Sequence, residues 1–171
     1  MLTYGSEPLV EINAWRFQLF GMVEQERELT WEQFVALPKT VVMADFHCVT
    51  QWSRLNNVWE GGASSDVMKL IRPLPLARYL MVHCYGGYTV NLSLADITTQ
   101  NVLFAYSYNG LNLAPGHGGP LRLVVPHLYA WKSAKWVHGL EFLEDEQPGF
   151  WERRGYHMRG DPWQEQRFSY F

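Results

Sequence analysis

Cysteine is scarce in this chain: Cys48 and Cys84 are the two it has in 171 residues. A disulfide framework is therefore excluded, and at most one disulfide could form. Long hydrophobic runs are missing too. No stretch approaches the ~18 uninterrupted apolar residues of a membrane span, and the opening MLTYGSEPLVEINAW lacks the basic segment and apolar run of a secretory leader. The expectation is a cytoplasmic chain with no membrane partner. Nor is there an excess of positive charge: 14 Lys and Arg against 17 Asp and Glu leave a formal net charge of -3. That balance gives no footprint for nucleic acid. Walker A (GxxxxGK[ST]) and GxGxxG spacings are absent, which removes the common nucleotide-binding routes, and without CxxCH there is no haem attachment segment. No repeat, low-complexity tract or linker divides the chain.

What is present is apolar and aromatic. At 47% apolar content the chain can bury one substantial core, which predicts a single domain over residues 1–171. Eight Trp and an aromatic content of 15% suggest filled cores and lined pockets. Residues 12–23 alternate apolar and polar, predicting a strand. LTWEQFVAL follows as a short helix with a Thr30/Gln33 capping box, ended by Pro38. TVVMADFHC reads as a buried strand that delivers His47 and Cys48 to its end, and VTQWSRLNN after it reads as polar and turn-prone. Ser64, Ser65 and Asp66 can cap a helix through DVMKLI, ended by Pro73 and Pro75. Residues 78–84 and 88–92 predict strands joined at Gly86-Gly87, with SLADITTQ as another short helix. Asn109-Gly110 predicts a hairpin between VLFAYSY and LNL, and LRLVV and KWVHGLEFLE are further strands. The segment after Pro148 has no period and reads as an irregular tail. Helices interspersed with hairpins predict an α+β fold.

Three constellations carry chemistry. Cys48 sits at a strand end; an unpaired cysteine is often a small core hydrophobe, but His47 and Arg54 nearby would favour its thiolate. The pairs His47-Cys48 and His83-Cys84 could supply four zinc ligands, yet adjacent strand residues point to opposite faces, and structural zinc sites space their ligands two to four residues apart. The same alternation weighs against a thiol enzyme in which His47 assists Cys48. The segment 116–137, GHGGPLRLVVPHLYAWKSAKWV, combines Gly116, Gly118 and Gly119 with His117, Arg122, Lys132, Ser133 and Lys135, a composition suited to holding a phosphate.

ADFHCVTQWS, then NGLNLAPGHGGPLRLVVPHLYAWKSAKWV, then the Pro-Gly-Phe-Trp and Gly-Tyr tail resemble, over about residues 12–168, the molybdopterin-binding domain of the sulfite oxidase family. The resemblance is to its small stand-alone members. It implies an α+β fold of several mixed sheets with short helices. It also implies a molybdenum-molybdopterin cofactor with one pterin dithiolene, and Cys48 as the protein's ligand to the metal. His117 falls at a pterin contact and Arg122 at a cofactor-phosphate or pterin contact; Ser133, Ala134 and Lys135 match the loop that holds both. The loop from His83 to Gly86 is the place of a further contact, with His83 its candidate. Tyr156 falls where family members carry a tyrosine beside the metal, and Arg54 lies near their substrate-binding arginine, although VTQWSRLNN departs from the asparagine-arginine pattern there. Family members usually carry a stretch ahead of the first strand, so the resemblance implies a domain shortened at its N-terminus or started internally. The implied activity is two-electron oxygen-atom transfer to or from a small substrate such as sulfite, an S-oxide or an N-oxide, with electrons exchanged through a separate carrier such as a cytochrome. The rival is a non-catalytic binding module that retains the fold without a filled metal site.

Overall fold

The computed structural model describes residues 4–169. Its first strand, β1 (Arg16–Gly21), turns Phe17 and Leu19 inward while Gln18 faces solvent. It pairs antiparallel with β2 (Arg27–Thr30). Thr30 ends β2 and caps α1 (Trp31–Val35): its hydroxyl accepts from the Gln33 amide, and the Gln33 side chain accepts from the Thr30 amide at 2.8 Å. β3 (Lys39–His47) then runs antiparallel to β4 (Ser53–Ala63), and α2 (Ser64–Met68) is a single turn. β5 (Tyr79–Cys84) and β6 (Thr89–Ser93) form a hairpin whose Gly86 and Gly87 both take positive φ. Next come α3 (Leu94–Ile97), β7 (Leu103–Tyr108), β8 (Leu111–Asn112), β9 (Arg122–Val124) and β10 (Val137–Leu143).

These strands make two sheets, one ordered β2-β1-β10-β5-β6, the other β3-β4-β7-β8 with β9 also on β7. The pairs are antiparallel except β1 with β10. That parallel pair is reinforced by the Trp15 indole, which donates to the Val137 carbonyl across 122 residues of sequence. The α+β class and the mixed sheets expected from the sequence are what the chain adopts. Strand alternation splits β7 and β9 between two cores. Phe104 and Leu123 join the main core with Trp15, Phe17, Phe34, Val82 and Leu140, where each fully buried aromatic contributes on the order of 2–3 kcal/mol. Leu103, Ala105 and Val124 point the other way and meet Phe46, Trp59 and Leu113. This second, smaller core underlies the site.

Two local readings need correction. VTQWSRLNN is not all turn, because β4 begins at Ser53 and runs eleven residues. Gly61 lies so close to β7 that a Cβ would fall 2.0 Å from the Phe104 carbonyl oxygen, so the glycines that mask the strand in sequence are what let it pack. At α2 the cap is Ala63 without a side-chain bond; Ser64 instead donates to the Ile97 carbonyl at 2.6 Å. Among the described residues no helix is long and apolar enough to cross a membrane.

Candidate functional site

β3 ends at His47 and the chain turns back at once. The Cys48 amide donates to the Trp52 carbonyl at 2.8 Å, the Gln51 amide donates to the Cys48 carbonyl at 3.1 Å, and Gln51 takes φ +69 to close the turn. Alternation separates the two neighbours. Cys48 faces a cavity of about 550 Å³ and is 8% exposed, its Sγ lying 3.1 Å from the Thr50 hydroxyl. His47 faces elsewhere, 2.8 Å from the Ser53 hydroxyl, with its ring against Trp163.

The same alternation directs a cation inward. On β9, Leu123 enters the main core and Arg122 takes the opposite face. Its guanidinium lies 5.1 Å over the Phe46 ring and 5.5 Å over the Trp59 ring, and it donates to the His117 carbonyl at 3.0 Å. Lys135 reaches the cavity from the loop before β10 and donates to the Gly116 carbonyl at 2.9 Å. Burial pushes Arg122 down to about 10. Burial and then the neighbouring Arg122 charge push Lys135 down to about 8, against a smaller opposing pull from Glu7. Cations whose charged forms are disfavoured by burial in a low-dielectric cavity are both favoured by an anion bound beside them. Glycine is required beside them: Gly118 has φ +104, and a Cβ there would fall 2.9 Å from Lys135 Cγ, while one on Gly119 would fall 2.2 Å from the Leu113 carbonyl oxygen. That space is taken by the protein's own packing.

The rim is polar on one side and aromatic on the other. Arg54, exposed on β4, lies 5.1 Å over the Tyr108 ring. Tyr108 donates to the Asn57 side chain at 3.0 Å, and Asn57 in turn donates to the Ala44 and Arg54 carbonyls. Across the tail, Tyr156 stacks on Trp151 with centroids 4.9 Å apart and meets Trp131 edge-on at 5.0 Å. Burial pushes the Tyr156 phenol up, and the Cys48 charge adds to it.

Of the residues singled out in sequence, Cys48, Arg54, His117, Arg122, Ser133, Lys135 and Tyr156 all line this one cavity. The Ser133 hydroxyl accepts from the Val125 amide at 2.9 Å. Ala134 and His83 do not reach the cavity. Ala134 packs in the main core, its carbonyl accepting from the Leu123 amide. His83 lies on the outer face of its sheet, 2.8 Å from Glu141 and against Phe20, because Cys84 takes the inward place on β5. Burial pushes the Cys84 thiol far up. Instead of His83, Tyr88 just past that loop lines the cavity and donates to the Trp131 carbonyl at 3.0 Å. Tyr88, Asn57 and Tyr108 were not singled out. Their one signal is a polar or phenolic group at an inward position of a strand-rich stretch, and that becomes readable only once register is known.

Among the described residues no three His, Cys, Asp or Glu side chains gather as a metal-holding group. A metal at Cys48 must therefore bring most of its ligands with it. A soft thiol, two buried cations and aromatic walls in one cavity fit an anionic cofactor that carries its own sulfur ligands.

Comparison with known proteins agrees with this donor set. Residues 4–151 match the family described as the oxidoreductase molybdopterin binding domain. A Bacillus subtilis (strain 168) protein, "Uncharacterized oxidoreductase YuiH", is 46% identical over 99% of this chain and 86% of its own length. The sulfite oxidase of Arabidopsis thaliana is 28% identical over 91% of the chain, which spans 49% of that protein. The sulfane dehydrogenase SoxCD of Paracoccus pantotrophus superposes with a TM-score of 0.74 at 21% identity over 82% of this chain and 41% of its own, a likeness of fold.

Proposed function

The chain belongs to the oxidoreductase molybdopterin binding domain family, and from that premise we propose that it transfers an oxygen atom, with two electrons, to or from a small substrate at the Cys48 cavity. The observation that carries this reading is the convergence of one soft thiol, Cys48, with the buried cations Arg122 and Lys135 on a single cavity. When bound, a molybdenum cofactor with one pterin dithiolene supplies the redox chemistry.

The chain's own residues supply the rest. Cys48 is the protein's ligand to the metal. Arg122 and Lys135 neutralise the cofactor phosphate through charge-assisted hydrogen bonds, with His117 and Ser133 lining the same wall. Phe46, Trp59, Trp131 and Trp151 keep water from the interior, which strengthens each of those electrostatic contacts. Tyr156, whose phenol burial keeps protonated, donates a hydrogen bond to a substrate oxygen. Arg54 at the exposed rim draws polar or anionic substrates inward. Electrons pass to or from a separate carrier such as a cytochrome. Sulfite, S-oxides and N-oxides are the substrate classes to try.

The test is metal and pterin analysis of protein made in a host that synthesises the cofactor, followed by a turnover screen over those classes with artificial electron donors and acceptors. About one molybdenum per chain is expected. Cys48→Ser should abolish turnover while leaving the circular dichroism spectrum unchanged, since one small side chain contributes little packing. Wild-type protein without molybdenum or pterin, or unchanged turnover in Cys48→Ser, would refute the reading.

A further inference from the structure

The turn that carries Cys48 is small and closes mainly on itself, through the Cys48-to-Trp52 and Gln51-to-Cys48 bonds. Among the described residues, one hydrogen bond ties residues 48–52 to a distant part of the chain: Arg167 Nη1 donates to the Val49 carbonyl. Arg167 lies beyond the stretch that matches the family, in the tail after residue 151.

The tail itself is fixed. Lys132 bonds Glu152 at 2.7 Å and the Met158 carbonyl at 2.5 Å. Arg159 pairs with Asp96 at 3.1 Å, and the Gly160 carbonyl accepts from the Tyr129 amide at 2.8 Å. The His157 amide donates to the Arg167 carbonyl, and Tyr156 bridges Phe168. The guanidinium has two partners besides Val49. Its Nε donates to Glu165 Oε2 at 2.6 Å, and its plane lies 4.9 Å over the Tyr129 ring. With Nε on Glu165 and the plane over Tyr129, the rigid fork presents Nη1 to the Val49 carbonyl.

We propose that Arg167 is a positioning residue for Cys48: from a tail anchored elsewhere, it fixes the Val49 carbonyl and so sets the direction in which the Cys48 thiol enters the cavity. Tyr156 sits on the same tail, so one strap orders both the thiol and the aromatic wall beside it. The inference rests on the reading of Cys48 as the metal ligand. Groups that orient a ligand from outside the coordination sphere are worth roughly 10- to 100-fold in metal affinity or activity.

The experiment uses cofactor-loaded protein with Arg167→Leu, Arg167→Lys and Glu165→Ala. Molybdenum content, kcat, KM and the electron paramagnetic resonance spectrum of the half-reduced metal are read, the spectrum being sensitive to thiolate orientation. Arg167→Leu should lower kcat by roughly 10- to 100-fold with little change in KM and a shifted spectrum. Arg167→Lys, which keeps a donor for Val49, should recover much of the loss. Loaded Arg167→Leu with wild-type kcat and spectrum would overturn the proposal even if its Tm fell, because that pattern is a structural role alone. Should Arg167→Leu not fold, Glu165→Ala decides. It removes the bond that holds the fork at a largely exposed carboxylate, and a wild-type spectrum and kcat there would overturn the proposal equally. Wild-type protein without molybdenum would overturn both this inference and the function on which it rests, whereas indistinguishable loaded variants would overturn this one only.

Discussion

Lys132→Met should be among the most damaging single changes that can be made outside the cavity. Lys132 is fully buried and Glu152, its partner at 2.7 Å, nearly so. The ammonium also donates to the Asn91 carbonyl at 3.0 Å, the Asn91 side chain at 2.7 Å and the Met158 carbonyl. Burial pushes Lys132 down and the Glu152 charge opposes it, so each ion depends on the other. Removing the cation leaves a carboxylate whose remaining protein partner among the described residues is the Trp131 indole, at 2.8 Å. Stranding one member of such a pair costs about 3–5 kcal/mol, which for a domain of this size lowers Tm by roughly 6–20 °C. Glu152→Gln added to Lys132→Met restores neutrality and still accepts from Trp131, so the double variant should be more stable than Lys132→Met alone. Thermal unfolding of the wild type, both single variants and the double variant closes the cycle. Additive losses, or a Lys132→Met loss below about 1 kcal/mol, would refute the argument that the two charges hold one another. Because Glu152 and Met158 begin the tail, Lys132→Met should also reduce molybdenum retention.

Three further outcomes are expected. Inorganic phosphate should bind cofactor-free protein less tightly as pH rises through about 8, because Lys135 loses its proton there; Lys135→Met should flatten that dependence, and a flat calorimetric profile in the wild type between roughly pH 7 and 9 would refute it. Burial raises the Asp96 carboxyl, but hydrogen bonds from His127, Arg159 and Ser93 outweigh it and hold the group well below the usual carboxylate range. Its stabilisation is therefore complete above its ordinary value of 3.8 and is lost as pH falls further. Asp96→Asn should flatten that acid limb of the denaturant-stability curve, and an unchanged limb would speak against it. Gly160→Ala, at φ +76 with a Cβ 2.5 Å from the Trp131 ring, should cost about 1–3 kcal/mol; an unshifted Tm would show that the tail can yield at this point.

What the sequence disclosed was local chemistry. Thr30 with Gln33 announced a capping box that forms, and Asn109-Gly110 announced a tight hairpin in which both residues take positive φ, because such signals depend on a few adjacent residues. β4 was hidden because its glycines and asparagines serve tertiary needs, Gly61 for close approach and Asn57 for hydrogen bonds. Those needs override strand propensity. For the candidate site, alternation placed Cys48 and His47 on opposite faces, and composition marked the segment of Arg122 and Lys135. Neither could show that His83 faces outward, that Tyr88 and Tyr108 line the cavity or that Arg167 reaches the Cys48 turn, since these depend on register and on a tail with no period.

The pairing of β1 with β10 has a consequence for biogenesis. The Trp15 indole meets its acceptor 122 residues later in the chain, so during synthesis β1 waits, with one edge unpaired, until β10 has emerged. Contacts of such sequence separation slow folding, and a waiting apolar edge is open to pairing with other chains. Synthesis that stops short of residue 143 should therefore yield insoluble product, and the interval before β10 appears is where this protein depends most on chaperones.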